Sequence, residues 1–341
     1  LDMGRLPRAD EHGIFSLELA EQVNENFEAG GQTILFLNRR GYAPFLLCSE
    51  CGEVPSCSSC SVSYTYHSRP RKRLVCHYCD QSIEVPVNCS VCHKGTFQDI
   101  GFGLQKVRES VAALFPDIRF ALVESRASQT EITERLKRFK SGELDLLIGT
   151  QIIAKGHDFS GVSLVGVLLA DLSLNFPDFR GSERTFQLIT QVAGRAGRGE
   201  RRGRVLIQTY RPQHHSLRHA QEHNYRAFAD EELERRRLDG WPPAAFLVLV
   251  PAQSTEVELA ERHLNRVVDE ISKPARDFGV RVAGPQLAPL DRIRGKTRFQ
   301  ILFQCDNRVR LQAFVSLIHP ILRTMPKQVR WQLNVDPYDM M

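Results

Sequence analysis

Eight of the nine cysteines in this sequence lie between Cys48 and Cys92, in four C-x-x-C pairs: Cys48/Cys51, Cys57/Cys60, Cys76/Cys79 and Cys89/Cys92. Each pair aims two thiolates at one tetrahedral ion, so eight sulfurs satisfy two zinc ions completely. A disulfide framework would need an oxidising compartment, and nothing in the sequence points to one. Spacing leaves the partnership of the pairs open. The fifteen residues between Cys60 and Cys76 suit a ribbon loop, which would close the inner two pairs on one ion and the outer two on the other. Joining consecutive pairs is the alternative, and the five residues between Cys51 and Cys57 make it tighter. His67, His77 and His93 lie among these pairs and are expected to be bystanders, since eight sulfurs already suffice. Cys305 stands in an apolar run and reads as a buried structural thiol.

A second set of residues points to phosphate chemistry. "QVAGRAGRGERRGR" (191–204) places five arginines and four glycines behind Gln191. At the C-terminal end of a helix, Arg195 and Arg198 are one turn apart, and two guanidinium forks at that spacing can grip one phosphoryl group. The plain alternative is a solvated basic face, against which the glycines and Gln191 argue. "GTQIIAKGHDF" (149–159) begins where an apolar strand ends, the place where open α/β sheets bind ligands. Small and hydroxyl residues there let backbone amides approach a phosphate, and Asp158 is placed to reach a ribose hydroxyl.

These residues need elements to hold them. Ser16 to Gly30 reads as an amphipathic helix and "TILFL" (33–37) as a short buried strand. Beyond the cysteines, Leu104, Val107, Val111 and Leu114 keep helical spacing, and "RFALVE" follows as a strand. "SQTE" (128–131) is a capping box opening a helix with Ile132, Leu136 and Phe139 on one face. "LDLLIGT", "LVGVLLA" and "RVLIQTY" are further strands, with the helix "SERTFQLITQVAG" between the last two. Such alternation predicts a parallel sheet with helices on both faces.

Residues 1–47 and 95–212 thus form one α/β lobe, with residues 48–94 as an inserted zinc-binding module. Residues 213–240 are a helical linker, and the turn "GWPPAA" opens a small α+β domain over 241–341. That domain reads as "FLVLV", a helix carrying Val257, Ala260, Leu264, Val268 and Ile271, then "RFQILFQ". A second helix with Leu311, Phe314, Ile318 and Ile321 follows, and then "VRWQLNV".

Composition and missing motifs bound the rest. A hydrophobic share of 42% and a charged share of 25% are ordinary for a globular protein, and a net charge of +5 mildly favours polyanionic partners. No apolar run approaches the roughly 20 residues of a membrane span. Because the chain opens on Leu1, it reads as a segment of something longer. "RGKT" (294–297) is not a phosphate loop, because Leu290 stands where the first glycine belongs. "DEHG" (10–13) has no strand before it to present carboxylates to magnesium. Tyr64 and Tyr66, near "RPRKR" (69–73), either contact nucleic acid or pack the ribbon.

Taken together, "LFLNRRGYAP" (35–44), "GTQIIAKGHDF", "PDFRGSERTFQLITQVAGRAGR" (177–198) and the four C-x-x-C pairs resemble the primosomal replication-restart helicase family (PriA, primosomal protein N′). "GWPPAAFL", "GPQLAPLDRIRGKTRFQILFQ" and "NVDP" resemble its C-terminal part, so the likeness covers essentially the whole chain. "QVAGRAGR" alone marks only a superfamily 2 helicase; the cysteine insertion narrows it. The resemblance implies a 3′-to-5′ DNA helicase that loads the replicative helicase at abandoned forks. It also implies that this chain is the second, RecA-like motor lobe with its zinc module and an S10-like C-terminal domain.

On that likeness Gln191, Arg195 and Arg198 form helicase motif VI, with Arg198 as the arginine finger. Gly156 and Asp158 belong to the nucleotide side of motif V. Thr150, Gln151, Asn38 and Arg39 touch the DNA backbone. The zinc pairs are nested, Cys48, Cys51, Cys89 and Cys92 on one ion and Cys57, Cys60, Cys76 and Cys79 on the other. Arg308 and Gln312 match a pair that binds the tail of single-strand-binding protein.

The implied cofactors are two zinc ions, with ATP and magnesium completed by a first lobe. That lobe's Walker A and DExH motifs do not occur in this sequence, so no ATP hydrolysis by the chain alone is expected. The implied partners are branched or single-stranded DNA, the single-strand-binding protein tail and primosome proteins. No membrane is implied, and the implied state is a monomer in a bacterial cytoplasm, with the nucleoid. The competing reading is a zinc-ribbon nucleic-acid-binding scaffold with a non-motor lobe; Gln191, Arg195 and Arg198 together favour the motor.

Overall fold

The computed structural model describes residues 1–37, 45–60, 62–68, 71–99, 104–124, 127–150, 159–175, 178–194, 196 and 203–340. Its first unit grows from the buried strand β1 (Gln32–Leu37). β1 lies at the centre of a five-stranded sheet in the order β10–β9–β1–β8–β7, and every pairing is parallel. The flanking strands are β7 (Phe120–Val123), β8 (Leu146–Gly149), β9 (Val162–Leu168) and β10 (Arg204–Ile207). Alternate residues of β1 face opposite ways, as strand geometry requires. Ile34 and Phe36 join a core with Ile132, Leu136 and Phe139 of α3 (Gln129–Lys140) and Phe186 and Ile189 of α5 (Gly181–Ala193). Leu35 and Leu37 join another, with Leu19 and Val23 of α1 (Leu17–Glu28) and Val107 and Val111 of α2 (Leu104–Leu114). Helices therefore cover both faces, as the alternating pattern predicts.

Local signals set the helix starts. Ser16 caps α1 through its hydroxyl, which accepts from the Leu19 N–H at 3.2 Å. Ser128 and Glu131 form the reciprocal capping box of α3. The short helix α4 (Asp171–Leu174) follows β9. The stretch after β10 forms α6 (His215–Gln221) and α7 (Tyr225–Asp239), and these do more than connect. Leu217, Ala220 and Phe228 enter the lobe's core, where the Phe228 ring stacks on Phe186 at 4.2 Å.

Between β1 and α2 the cysteine-rich insertion builds two small sheets. β2 (Leu46–Cys48) pairs with β6 (Phe97–Asp99), and β3 (Thr65–His67), β4 (Arg73–Val75) and β5 (Ser82–Glu84) form an antiparallel meander. No helix among the described residues is long and apolar enough to cross a membrane.

The C-terminal unit is α+β, in the order β12–β13–β11–β14 with β15 also against β11, all antiparallel. Its strands are β11 (Phe246–Ser254), β12 (Arg281–Ile293), β13 (Lys296–Cys305), β14 (Arg330–Trp331) and β15 (Asn334–Val335). α8 (Val257–Asp277) and α9 (Arg308–Leu322) pack on one face through Ala260, Leu264, Val267, Ile271, Leu311, Phe314 and Ile318. The buried stripe of α8 runs through Val267 rather than Val268, and Val257 is exposed.

β12 is an addition to the sequence reading. Its Pro285 and Pro289 argue against a strand, but it is a sheet edge, where proline is tolerated, and its register breaks at both positions. "RGKT" lies in the β12–β13 hairpin. Arg294 and Gly295 both have positive φ between the paired residues Ile293 and Lys296, the geometry of a two-residue hairpin turn. Asp10 of "DEHG" accepts from the Phe15 N–H at 2.7 Å and the Ser110 hydroxyl at 2.6 Å, a structural role.

Candidate metal centres and nucleotide edge

The eight cysteines gather into two groups of four, Cys48, Cys51, Cys89 and Cys92 (the outer group) and Cys57, Cys60, Cys76 and Cys79 (the inner group). The pairs are nested, and the consecutive pairing is excluded. Within each group all four sulfurs lie within 4.8 Å of one another. Sulfur separations of 3.6 Å (Cys48–Cys92), 3.7 Å (Cys51–Cys89) and 3.5 Å (Cys57–Cys79) are too long for disulfides. They match the edge of a tetrahedron with metal–sulfur bonds of about 2.3 Å. No imidazole belongs to either group: His67 and His77 are buried against each other, Nε2 to Nε2 at 3.2 Å, and His93 is exposed.

The local chain explains this placement. Gly52, Asp80 and His93, each following a second cysteine, take the left-handed conformation and return their N–H to the first cysteine's carbonyl at about 3 Å. Gly52 has a second reason to be glycine, because a Cβ there would run into the Tyr210 ring of the lobe. Backbone N–H groups of Val91 and Gly95 donate to the Cys89 and Cys92 sulfurs, both at 3.4 Å.

The electrostatics favour a cation. The backbone amides of Lys94 and Gly95 hold the Cys92 thiol down at about 6. Hydrogen bonding from Cys76 brings Cys60 to about 5. Burial pushes Cys51 up to about 12 and Cys79 up to about 11, and the Cys60 sulfur raises Cys76 further. Cys92 and Cys60 thus ionise readily, while Cys51 beside the one and Cys76 and Cys79 beside the other resist a second negative charge. Four thiolates in this space need a dication, and the all-sulfur donor set is compatible with zinc. Tyr64 packs the ribbon, its hydroxyl donating to Gln81 Oε1 at 2.9 Å.

The described ends of "GTQIIAKGHDF" and the start of β10 fall at two edges of the parallel sheet. β1 and β8 end side by side, Phe36 opposite Gly149, so Thr150 leaves the sheet's C-terminal edge beside the end of β1. Thr150 is half-buried. At the opposite edge β9 and β10 begin as neighbours, with Arg204 opposite Leu164. Phe159 leads into β9, and the segment following α5 leads into β10. The parallel topology therefore separates the start of "GTQIIAKGHDF", at Gly149 and Thr150, from its end at Phe159. Gln191 is exposed in the last turn of α5. Asn38, Arg39, Gln151, Gly156, Asp158, Arg195 and Arg198 lie outside the described residues.

Arg308 and Gln312 are both exposed, one turn apart on α9. They line a cavity of about 350 Å³ with Phe246, Val248, Leu311 and Val315. The Arg308 guanidinium lies 3.5 Å from Asp336 and over the Phe246 ring at 5.9 Å.

A buried polar network escaped the sequence reading. Asp178 pairs with Arg184 at 2.8 Å, and Glu183 and Glu232 both hold Arg236, each at 2.8 Å. His215 meets Glu232 at 2.9 Å. Beside it His214 caps α6, its ring accepting from the Ser216 N–H at 3.3 Å, so it must stay neutral. Burial first, then the His215 and Arg211 charges, press its pKa to about 3, below the usual 6.5. The unfolded chain then binds more protons than the folded one between those values, so stability should fall as pH drops through that window. The slope is at most about 1.4 kcal/mol per pH unit. Denaturant midpoints of wild type and His214→Asn at pH 7 and 5 check this; the variant, which keeps a cap, should show the smaller loss.

Comparison with known proteins adds the following. Residues 103–200 match the helicase conserved C-terminal domain, and residues 237–338 match the primosomal protein N C-terminal domain. The chain is 38% identical over 345 residues to the replication restart protein PriA of Bacillus subtilis (strain 168), covering 100% of this chain and 43% of that one. It is 37% identical over 327 residues to the Haemophilus influenzae protein of the same name, covering 95% and 44%. For Rickettsia conorii the figures are 32% over 334 residues, 97% and 50%. The chain thus spans half or less of the length of these relatives.

Proposed function

Since the chain belongs to the PriA family of replication restart proteins, we propose that it is the C-terminal part of an ATP-dependent 3′-to-5′ DNA helicase. In this reading the whole protein recognises stalled or branched replication forks and restarts replication by assembling a primosome, in a bacterial cytoplasm. The observation that carries the reading is the place of the two four-cysteine groups, inserted between the central strand and the next helix of a helicase lobe. Residues 1–47 and 95–212 act as the second motor lobe, 48–94 as the zinc module, and 241–341 as the surface for DNA and partners.

Zinc is the proposed ion at both groups, where it supplies folding energy rather than reaction chemistry. Arg198, Arg195 and Gln191 contact the nucleotide's terminal phosphate, with Gly156 and Asp158 beside it. Asn38, Arg39, Thr150 and Gln151 lie along the DNA backbone. The test is DNA-stimulated ATP hydrolysis and fork unwinding by the full-length natural protein. The 341-residue chain alone should show no steady ATP turnover, and turnover by it would overturn the division of labour.

The cavity beside Arg308 has apolar walls and a guanidinium at its rim, which suits a short peptide with an apolar side chain and an anionic group. We assign it to the single-strand-binding protein tail. Arg308→Ala should weaken tail-peptide binding about tenfold in a fluorescence titration. Equal affinity for variant and wild type would remove the assignment.

A further inference from the structure

The C-terminal domain reaches the inner cysteine group from outside, at three adjoining points. Arg281, the first residue of β12, places Nη2 3.8 Å from the Cys60 sulfur. Three residues on, the Gly284 N–H donates to the carboxylate of Asp80, which directly follows Cys79. Gly284 has φ near +96, and a Cβ there would meet the Gln300 carbonyl, so only glycine brings this amide so close. Tyr78, between Cys76 and Cys79, packs edge-on against Trp241 at 4.3 Å and accepts from the Phe179 N–H at 2.9 Å. Behind these contacts Cys57, Cys60 and Cys76 share one buried cluster with Leu247, Leu249, Ala283 and Leu302 of the C-terminal sheet.

The outer group is built differently. Its sulfur contacts among the described residues stay within the module, at Cys48–Cys92, Cys51–Cys89, Val91 and Gly95. None of its cysteines belongs to the shared cluster.

A dication held by four thiolates leaves a net charge of −2, and a guanidinium against one sulfur offsets part of it. The cation that does so here comes from the domain that docks. We infer that the inner site is the seat of the C-terminal domain: metal there fixes the Cys76–Asp80 turn on which β12 rests, and Arg281 in return holds the metal in place. This rests on zinc being the resident ion. Such linkage is reciprocal, so undocking must loosen the metal by the factor by which metal loss loosens docking. Arg281 acts through the sulfur it touches and is a positioning residue. Loss of inner-site metal by chelation would release the surface that carries Arg308 while leaving the motor lobe folded.

The experiment uses the zinc-loaded 341-residue chain. Zinc release to a chromogenic chelator is timed for wild type, Arg281→Gln and Arg281→Lys, and amide hydrogen exchange is read across β12. Arg281→Gln should speed release of one of the two ions about three- to tenfold, since the side chain is solvent-exposed and its effect partly screened. It should also raise exchange around Gly284, and lysine should restore part of both. A Cys60→Ser/Cys76→Ser variant should deprotect β12, whereas Cys48→Ser/Cys92→Ser should leave β12 as in wild type. Two bound ions released at wild-type rates by Arg281→Gln, with β12 exchange unchanged in the inner-site variant, would overturn the inference. A wild-type chain that neither holds nor takes up two zinc ions would overturn the zinc reading itself, and the two failures are told apart by the metal count.

Discussion

Arg198→Ala in the full-length protein should cut DNA-stimulated ATP hydrolysis by at least about a hundredfold, which is about 2.7 kcal/mol of transition-state stabilisation. Arginine fingers in GTPases are worth 10³–10⁵ in rate, because charge builds on the phosphoryl oxygens only in the transition state. The loss should therefore fall on kcat, with the KM for ATP changing little. Arg198→Lys should recover only a fraction, since an ammonium cannot present two parallel N–H groups to two oxygens. Gln191, exposed in the last turn of α5, can be changed to alanine without opening a core. Its variant should show a smaller loss, and an unchanged unfolding midpoint would confirm that folding is intact. Hydrolysis by Arg198→Ala within tenfold of wild type would remove the finger role from Arg198, whereas a full-length wild type that never hydrolyses ATP would replace the motor by the scaffold reading.

What the sequence disclosed depended on how local each determinant is. The capping box at Ser128 and Glu131 needs only four residues, and it sits where the pattern places it. The parallel lobe follows from apolar runs whose burial is nearly continuous, such as β1 and β8, which read as buried strands in any context. Cysteine pairing lies between these cases: spacing allowed two solutions, and only the family likeness chose the nested one that the sulfurs adopt.

The determinants that stayed hidden are contacts between distant segments. β12 is hidden by Pro285 and Pro289, whose cost vanishes because no strand among the described residues pairs beyond that edge. Tyr78 and Trp241 are 163 positions apart and meet ring to ring, and neither sequence context announces the other. Glu232 and Arg236 are an i,i+4 pair that helical spacing exposes, but the Arg236–Glu183 arm joins helices separated by β10 and α6 and is invisible to it. The two-edge layout of "GTQIIAKGHDF" likewise needs the strand order, because the segment's ends are neighbours in sequence but reach opposite edges of the sheet.

Removing both metals should unfold residues 48–92, loosen the C-terminal sheet and spare the parallel lobe. The module has little else to hold it. Its strands are three residues long, and three of its cysteines fill core positions that larger side chains occupy in ordinary domains. Coordination of a structural zinc supplies roughly 10–16 kcal/mol in small zinc peptides at neutral pH, more than the net stability of most domains. By contrast, the two cores of the lobe contain no residue between 48 and 92. The C-terminal unit is intermediate: its helix-side core is independent, but Leu247, Leu249 and Leu302 on the other face are buried against the module. Amide exchange before and after chelation should thus give three responses, with full exchange in 48–92, raised exchange in β11 and β13, and unchanged protection in β1, β8 and β9. Acid should act like chelator, because protons compete for the thiolates and displace the metal as pH falls. One cooperative unfolding transition at the same midpoint with and without chelator would mean that the module stands without metal, and that its sulfurs are packing groups rather than ligands.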